Sequence, residues 1–434
     1  MKRNLLLSAL LCSILLAMPF LLRAQQLEKC ATVNYIRMTE QKNPERFIQR
    51  KNFETIYQQL RQQRKMKTGG GPITIPVVVH LIYRTNLENI PDEQIISQIE
   101  VLNEDYGRTN ADASMTPAVW DTVAVNTQIQ FCLASRKPNG DWTNGIERRQ
   151  TSVTEWYPND DYMKYFTTGG LDAWDSHHYL NIWVCNLQGN YLGYSTYPGG
   201  DTLVDGVVIK SRVFGRIDYV SPPFDKGRTT THEIGHWLGL YHTWGDDQGS
   251  CIGTDLIDDT PNQWNATSGC PVFPLYDNCS YSGCEAFQDP SNPCSSYGVM
   301  FMNFMDYTND ACMNMFTHDQ AAYMHHVIDT LRPELYTSLG CTAPIGMSEI
   351  DKENYVKVFP NPAANKIYIS TNTLKEHDYT VSVFDMTGKQ VLIEKKLSLA
   401  HDFSLDISFL DAGFYIVKLK GTRSTVVARF TVLH

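Results

Sequence analysis

The pattern of hydrophobic and polar positions divides the chain into a long mixed region and a shorter all-β region. In the first region, apolar runs and alternations predict strands, and apolar residues at helical spacing predict helices. Strands are predicted at 74–83, 128–133, 180–185, 194–197 and 206–210, and helices at 91–106 and 319–331. Because the two kinds of element interleave, this region is predicted to be a mixed α/β domain.

Short alternating strands dominate the last 80 positions. About seven of them follow one another between residues 355 and 434, separated by turn residues. Regular spacing of this kind is typical of a small all-β sandwich. Residues 342–354 lack either pattern and are predicted to be a linker.

The N-terminal segment has the pattern of an export signal. Residues 1–24 contain early basic residues, an apolar run from Leu5 to Leu22, and a polar exit at Arg23. This order predicts a secretory signal peptide that is cleaved after Ala24. A transmembrane helix is the weaker alternative, since the run is barely long enough and Arg23 ends it abruptly.

Residues 25–68 differ in composition from a compact domain. They are rich in Gln, Lys and Arg and are followed by three glycines at 69–71. Such a junction is flexible and accessible to proteases. We therefore predict a removable pro-segment at 25–68.

Charge is unevenly distributed along the chain. The 434 residues carry a formal net charge of −10, yet the first 68 hold 13 basic and 4 acidic side chains. The remainder therefore has a net charge of −19. This acidic body argues against nucleic-acid binding. It fits bound Ca²⁺ or cationic peptide substrates, although solubility alone could explain it.

The strongest chemical signal is the stretch THEIGHWLGLYH. His232 and His236 are four residues apart, so on a helix their imidazoles share one face and can bind one Zn²⁺. Glu233 beside them is the expected general base for the attacking water. Gly239 can adopt a positive φ and end the helix. That turn brings His242 round as a third ligand and leaves the fourth position open.

This stretch resembles the long zinc signature of the metzincin metallopeptidases. Residues 303–308, NFMDYT, resemble their Met-turn, and residues 242–245 and 258–261 resemble the pappalysin family within them. The likeness covers residues 70–340. It implies a metzincin-like catalytic domain at 69–341, in which a loop-rich subdomain with disulfides follows the mixed α/β part.

The resemblance also implies a secreted zinc endopeptidase that acts on proteins and peptides. Met305 would form an apolar floor beneath the metal, and Tyr307 would donate a hydrogen bond to the tetrahedral oxyanion. Two other classes remain open: an inactive binding protein with this fold, and a zinc hydrolase that does not cut peptides. The first would be expected to lose Glu233 or a ligand, and none is lost.

The single cysteine of the pro-segment, Cys30, is a candidate inhibitor of the site. A thiolate can occupy the open zinc position and displace the catalytic water. Metzincins often use such a cysteine switch, which implies that the protein is made as a zymogen. The alternative is a stray cysteine in a disordered leader.

Six cysteines lie in the loop-rich segment between residues 245 and 333. In an exported protein they indicate disulfides, and six cysteines permit 15 pairings. Cys132 and Cys185 lie on apolar strands and are interpreted as buried thiols. Nine cysteines remain after the leader and pro-segment, so at least one is free or the pairings differ. The family resemblance suggests Cys251–Cys279 and Cys270–Cys312, which leaves Cys284 with Cys294.

The loop after the zinc motif is a candidate calcium site. Asp255, Asp258, Asp259 and Thr260 supply hard oxygen donors of the kind that Ca²⁺ requires. Related enzymes bind structural Ca²⁺ here. The alternative is an Asp-rich turn without a metal.

Asp310 is the candidate specificity residue. It follows Met305 by five positions, on a segment that lines the S1′ pocket in metzincins. A carboxylate in such a pocket favours Arg, with Lys second, directly after the scissile bond. The alternative is that Asp310 caps a turn.

The C-terminal strands carry a second resemblance. FPNP at 359–362, DMTGK at 385–389 and GFYIVK at 413–418 resemble the C-terminal sorting domain of the type IX secretion system. This implies that residues 355–434 engage outer-membrane secretion machinery and that the protein is released or attached to the cell surface. An Ig-like binding or stalk module is the alternative. We expect a monomer.

Overall fold

A computed structural model describes residues 29–62, 71–246, 251, 255–280, 296–344, 356–370, 378–385, 389–398, 403–421 and 425–433. The chain divides into two compact units, Met1–Pro344 and Ile345–His434. The predicted signal peptide, the Cys284–Cys294 pair and most of the predicted linker lie outside the described residues. Within the described ranges, no helix is both long and apolar enough to cross a membrane.

The first unit interleaves strands and helices, as the sequence pattern predicts. Its strands are β1 Ile73–Tyr83, β2 Ile129–Leu133, β3 Ile146–Gln150, β4 Leu180–Cys185, β5 Gly193–Ser195 and β6 Val207–Lys210. Its α-helices are α1 Thr32–Lys42, α2 Pro44–Gln62, α3 Asp92–Tyr106, α4 Ala118–Asp121, α5 Arg228–Trp237 and α6 His318–Leu331. Short 3₁₀ turns lie at Ala113–Met115, Tyr162–Lys164, Phe166–Thr168, Ser211–Val213, Asp310–Cys312 and Pro333–Thr337.

The six strands form one sheet in the order β2–β1–β4–β6–β5, and β3 pairs with the second half of β1. All pairings are parallel except that of β5, which runs antiparallel to β6 and lies at the edge. The long apolar run of β1 is buried on both faces, which is usual for a parallel strand covered on each side. The sheet therefore ends in one antiparallel edge strand, β5, which lies beside the zinc motif.

The two faces of the sheet pack against different partners. On one face, alternate β1 residues such as Val77 and Val79 join a large core with Ile234 and Trp237 of α5. On the other face, a smaller cluster is built around Trp183, with residues of the pro-segment among its members. The zinc-motif helix is thus fixed to the sheet through its apolar side.

The pro-segment is helical, which the sequence analysis did not predict. Its helices α1 and α2 contain few apolar residues, so their composition alone does not indicate a folded segment. Phe53 and Tyr57 of α2 nevertheless enter the main core, and their rings lie 6.2 and 4.5 Å from that of Tyr323. Helices this polar are stabilised by packing against the rest of the unit rather than by their own sequence.

Three disulfides are present among the described residues. Cys251–Cys279 and Cys270–Cys312 agree with the pairing that the family resemblance suggests. The interpretation of Cys132 as a buried thiol was wrong, because it is bonded to Cys341 across 209 positions. The segment that follows α6 returns to the end of β2, where Ser135 N–H donates to Gly340 O at 2.8 Å. Cys185 is a buried free thiol.

The second unit is the predicted all-β sandwich. Its strands are β7 Lys357–Phe359, β8 Lys366–Ser370, β9 Asp378–Asp385, β10 Gln390–Ser398, β11 Phe403–Asp406, β12 Gly413–Lys420 and β13 Thr425–Val432. They form a four-stranded sheet, β10–β9–β12–β13, and a three-stranded sheet, β11–β8–β7. Alternate residues such as Ile367, Ile369, Val417 and Leu419 form a shared core.

Candidate active site

The three predicted zinc ligands converge. His232 and His236 lie one turn apart on α5, and their Nε2 atoms are 3.1 Å apart. After α5, Gly239 adopts a φ of +90° and turns the chain, as predicted. A Cβ at this glycine would meet Val327 Cγ2 at 2.8 Å, so close packing also requires glycine. The turn brings His242 Nε2 to 3.0 Å from His236 Nε2.

A hydrogen bond fixes the tautomer of each imidazole. The Nδ1 atoms of His232, His236 and His242 donate to Phe304 O, Leu240 O and Asp246 Oδ1, each at 2.7 Å. The three Nε2 lone pairs therefore point toward one another, in the orientation that lets three imidazoles bind one metal ion. Burial lowers the pKa of His232 to about 3 and that of His236 well below its usual value, so both rings are neutral.

This donor set fits Zn²⁺. Nitrogen ligands at about 2.0–2.1 Å from a tetrahedral zinc lie about 3.3 Å from one another, close to the spacing here. Cys30 Sγ completes the cluster, with all four ligand atoms within 4.8 Å of one another. Three imidazoles from one motif and a thiol from the pro-segment thus surround one metal position.

The Met-turn lies directly beneath the ligands. Met305 is fully buried, and its Sδ lies so close to α5 that a Cβ at Gly235 would collide with it. The neighbouring Phe304 O is the acceptor for His232 Nδ1. Close packing therefore requires glycine at position 235 of the zinc motif. The Met305 sulfur packs directly against the backbone of α5 at this point.

Glu233 is held by the pro-segment. Its Oε2 accepts a hydrogen bond from Thr32 Oγ1 at 2.8 Å and lies 3.3 Å from Cys30 Sγ. Ser195 N–H in turn donates to Thr32 Oγ1 at 2.9 Å. Burial raises the pKa of Glu233 to about 8. The predicted general base and the predicted switch cysteine are thus in contact, and Thr32 is a third member that sequence reasoning missed.

Tyr307 closes the site from the side of the Met-turn. Its ring lies 4.9 Å from that of His242 and 4.8 Å from that of Trp244. Its hydroxyl donates to Cys30 O at 3.3 Å. Burial raises the pKa of Tyr307 well above its usual value, so the hydroxyl remains a donor. A backbone carbonyl close to the zinc position is therefore already within its reach.

Comparison with known proteins agrees with this geometry. Residues 170–329 match the family of pregnancy-associated plasma protein-A, and residues 357–433 match the secretion system C-terminal sorting domain. Extracellular metalloprotease 1 of Coccidioides posadasii is 32% identical over 267 residues, which span 58% of this chain and 76% of that protein.

Solved structures show the relationship at higher identity. Mature mirolysin of Tannerella forsythia in complex with a cleaved peptide is 49% identical, over 62% of this chain and 96% of that one, with a TM-score of 0.57. A promirolysin mutant from the same organism is 44% identical, over 71% and 97%, with a TM-score of 0.62. The chain belongs to the pappalysin family of metallopeptidases. It is a secreted zinc metalloprotease with a C-terminal sorting domain.

In this pappalysin, the pro-segment pairs with the edge strand β5. Ala31 N–H donates to Gly193 O at 3.0 Å, and Leu192 N–H donates to Lys29 O at 2.7 Å. Cys30 pairs with Gly193 in parallel orientation. The sequence alone does not show which strand borders the cleft. These contacts identify β5 as the strand that the pro-segment covers.

Asp310 lines a pocket beside the ligands, together with His232, Glu233 and Lys29 of the pro-segment. Lys29 Nζ donates to Tyr307 O at 2.7 Å. Burial lowers the pKa of Lys29, while the carboxylates of Asp310 and Asp306 act in the opposite direction. The predicted specificity residue and a basic side chain therefore line the same pocket in this pappalysin.

The same carboxylate of Asp310 caps α5. Its Oδ2 accepts from Lys226 N–H at 2.8 Å and Arg228 N–H at 3.3 Å. The pocket role and the capping role are therefore combined in one side chain. Arg228, which sequence reasoning missed, donates to Asp310 O at 2.6 Å and forms an ion pair with Asp112 at 2.6 Å. Arg228 also lines the pocket, so its guanidinium lies close to Asp310 as well as to Asp112.

The predicted calcium loop contains two buried carboxyl groups, Asp255 and Asp259, and a more exposed one, Asp258. Asp255 is buried and accepts from Thr260 Oγ1 at 2.8 Å, and burial raises its pKa well above the usual value. Asp259 Oδ1 is buried without a hydrogen-bond partner among the described residues, and burial raises the pKa of this carboxyl to about 7. Asp258 forms an ion pair with Arg61 at the end of α2. A buried carboxylate oxygen without a donor fits a hard cation.

Two further site residues, Asp246 and Lys29, have a signal in the sequence that was not sufficient to identify them. Asp246 follows His242 by four positions and orients it, although it lies outside the recognised motif. Lys29 directly precedes the switch cysteine. A carboxylate at i+4 from a ligand and a basic residue next to Cys30 are both visible in the sequence, but neither has meaning without knowing where the chain crosses the cleft.

Proposed function

We propose that this protein is the zymogen of an endopeptidase that cuts on the amino side of Arg, with Lys second, after removal of residues 25–68. One observation carries the proposal. The pro-segment crosses the histidine cluster with Cys30 at the metal position and with Lys29 lining the same pocket as Asp310. A basic residue next to the reacting position is what a substrate would have to present there.

The chemistry is assigned to residues of the chain. His232, His236 and His242 hold Zn²⁺, which when bound lowers the pKa of a water and polarises the scissile carbonyl. Glu233 takes the proton of the attacking water and passes it to the leaving amine. The hydroxyl of Tyr307 donates to the developing oxyanion, and its present contact with Cys30 O supports this role.

Latency is assigned to two contacts of the pro-segment. Cys30 occupies the position that the attacking water needs, and Thr32 holds the carboxylate that must accept its proton. With Glu233 Oε2 engaged by both residues, neither the water site nor the base is free. Removal of residues 25–68 frees both at once.

Specificity is assigned to Asp310. Burial raises its pKa to about 6, so the carboxyl is ionised at neutral pH. A guanidinium or ammonium in the same pocket would be partly desolvated, which strengthens its attraction to the carboxylate. Arg is favoured over Lys because its planar fork forms two parallel hydrogen bonds.

A structural calcium site is proposed at Asp255, Asp258, Asp259 and Thr260. The buried oxygen of Asp259 and the raised pKa values of Asp255 and Asp259 support it. In the zymogen, Arg61 supplies a positive charge to the outer part of this loop. We also propose that the sorting domain at 355–434 engages the secretion machinery and that the enzyme is a monomer.

The test combines metal analysis with cleavage-site profiling of a peptide library. The wild-type protein after removal of the pro-segment should contain one zinc and cut before Arg and Lys. The Glu233→Ala protein should contain the same zinc and cut nothing. Zinc without cleavage in the wild type would favour a binding protein, and cleavage of esters alone would favour a hydrolase of another class.

A further inference from the structure

We propose that the socket which holds Tyr35 is a substrate subsite of the mature enzyme, selective for a tyrosine on the amino side of the scissile bond. The Tyr35 socket consists of Asp161, Lys164, Trp183 and Tyr194. The proposal rests on the proposed function, because that function fixes the direction in which substrate lies.

The socket binds both ends of a tyrosine side chain. The Tyr35 hydroxyl donates to Asp161 Oδ2 at 2.6 Å, and its ring lies 5.0 Å from that of Tyr194. Tyr194 donates to the other carboxylate oxygen, Asp161 Oδ1, at 2.8 Å. A phenol therefore meets an aromatic wall and a charged acceptor, and a phenyl ring would meet only the wall.

The socket is built without the pro-segment. Lys164 is fully buried, donates to Val204 O at 2.8 Å and lies 2.9 Å from Asp161 Oδ1. Its ammonium also lies 5.2 Å from the ring centroid of Trp183 and 4.8 Å from that of Tyr194. These contacts fix Asp161 from within the catalytic unit. Removal of Tyr35 therefore leaves a positioned carboxylate oxygen, Oδ2, that has lost its donor.

The position of the socket relates it to the cleft. Tyr194 lies on the edge strand β5, next to Gly193, which pairs with Cys30. Thr32, which contacts Glu233, lies one helical turn before Tyr35. Lys29 lies on the opposite side of Cys30, in the Asp310 pocket. Along the pro-segment, Lys29 in the pocket lining and Tyr35 in the socket therefore come before and after Cys30.

This arrangement predicts a second specificity. A substrate whose basic residue enters the Asp310 pocket directs its preceding residues past Glu233 and along β5 toward Tyr194. A tyrosine a few residues before the cut can then place its ring where Tyr35 lies. In the zymogen, Lys29 and Tyr35 would thus occupy the two places where the mature enzyme selects substrate side chains. They would do so although the pro-segment runs parallel to β5.

The first test uses enzyme matured from the full chain and peptides with Arg fixed directly after the cut. Tyr, Phe and Ala are placed in turn at each of the second to fifth residues before the cut. At one position, kcat/KM should be about tenfold higher for Tyr than for Phe, as expected for a hydrogen bond to a charged group. Ala should be lower still. If Tyr and Phe peptides agree within about twofold at every position, the subsite is refuted.

The second test changes the socket. Asp161→Asn should reduce the Tyr-over-Phe ratio toward one, and Asp160→Asn, which alters the neighbouring carboxylate, should retain it. Asp160 accepts from Tyr162 N–H and is not part of the socket. An undiminished ratio in Asp161→Asn would assign the preference to another site.

A third test does not depend on cleavage. In the full-length Glu233→Ala zymogen, the free energies of unfolding of Tyr35→Phe, Asp161→Asn and the double variant form a double-mutant cycle. The two changes should be coupled, because each removes the same hydrogen bond. Absence of coupling would refute the socket itself. If the cycle shows coupling but the matured wild-type enzyme cuts no peptide, the peptidase assignment and the subsite are both refuted. Cleavage by the matured wild-type enzyme without Tyr preference would refute the subsite alone.

Discussion

Replacement of Asp310 by Asn removes one negative charge from the pocket that Lys29 and Asp310 line together. The choice of Asn follows from the second role of this side chain. Asp310 Oδ2 accepts from two backbone N–H groups at the start of α5, and an amide oxygen can still accept there. Asp310→Ala would lose the cap as well, at a cost of about 1 kcal/mol, and would disturb the helix that carries His232.

The expected magnitude follows from the charge pair alone. A hydrogen bond to an ionised partner contributes about 1.5–3 kcal/mol, which corresponds to about 10–100-fold in kcat/KM. The loss should lie toward the lower end, because Asp306 also acts on Lys29 and would retain part of the attraction for a cation. Peptides with Leu after the cut should lose little, since they have no charge to pair.

The assay compares kcat/KM for Arg, Lys and Leu peptides of otherwise identical sequence, with wild type, Asp310→Asn and Asp310→Ala. Burial raises the pKa of Asp310 to about 6, so its charge is present above that pH and is lost below it. The Arg-to-Leu ratio of the wild type should therefore fall as pH drops through about 6, and that of Asp310→Asn should stay flat. Equal losses on Arg and Leu peptides in the Asn variant would refute the reasoning and leave Asp310 as a cap.

Four other outcomes are expected. Glu233→Ala should retain zinc and lose peptidase activity by several orders of magnitude, and a tenth of the wild-type rate would contradict its role. Cys30→Ala should speed self-activation by cleavage between residues 61 and 71, and adding Thr32→Val should speed it further; unchanged kinetics would leave Cys30 a stray thiol. Calcium chelation that spares zinc should lower the melting temperature, more so after loss of Arg61 with the pro-segment, and an unchanged value argues against the metal. Deletion of 355–434 should trap a folded enzyme in the cell envelope, whereas normal secretion favours a stalk.

The zinc site was predictable because its geometry is local. His232, His236 and His242 lie within eleven residues, so helical spacing and one glycine turn determine where their imidazoles point. The Met-turn lies about 70 residues further along, and only the family resemblance placed Met305 and Tyr307 beside the metal. The central strands were predictable for a similar reason, since buried parallel strands such as β1 and β4 read as continuous apolar runs.

Features that depend on long-range contact were not predictable. The Cys132–Cys341 bond joins positions 209 apart, and no local pattern indicates that the chain returns to β2 after α6. The helices α1 and α2 escaped prediction because their buried residues, among them Tyr35 and Tyr57, are too few to form a clear apolar face. The role of Thr32 depends entirely on the path of the pro-segment over Glu233.

The Cys132–Cys341 bond also has a mechanical consequence. Cys341 lies three residues before the end of the catalytic unit at Pro344, so any pull on the sorting domain would enter the unit close to this cysteine. The covalent bond passes that tension directly to β2, which lies in the parallel sheet beside β1. Helix α6, which packs against the turn at Gly239, is bypassed by the load. A force applied through the C-terminal tail would therefore reach the central sheet through a covalent bond.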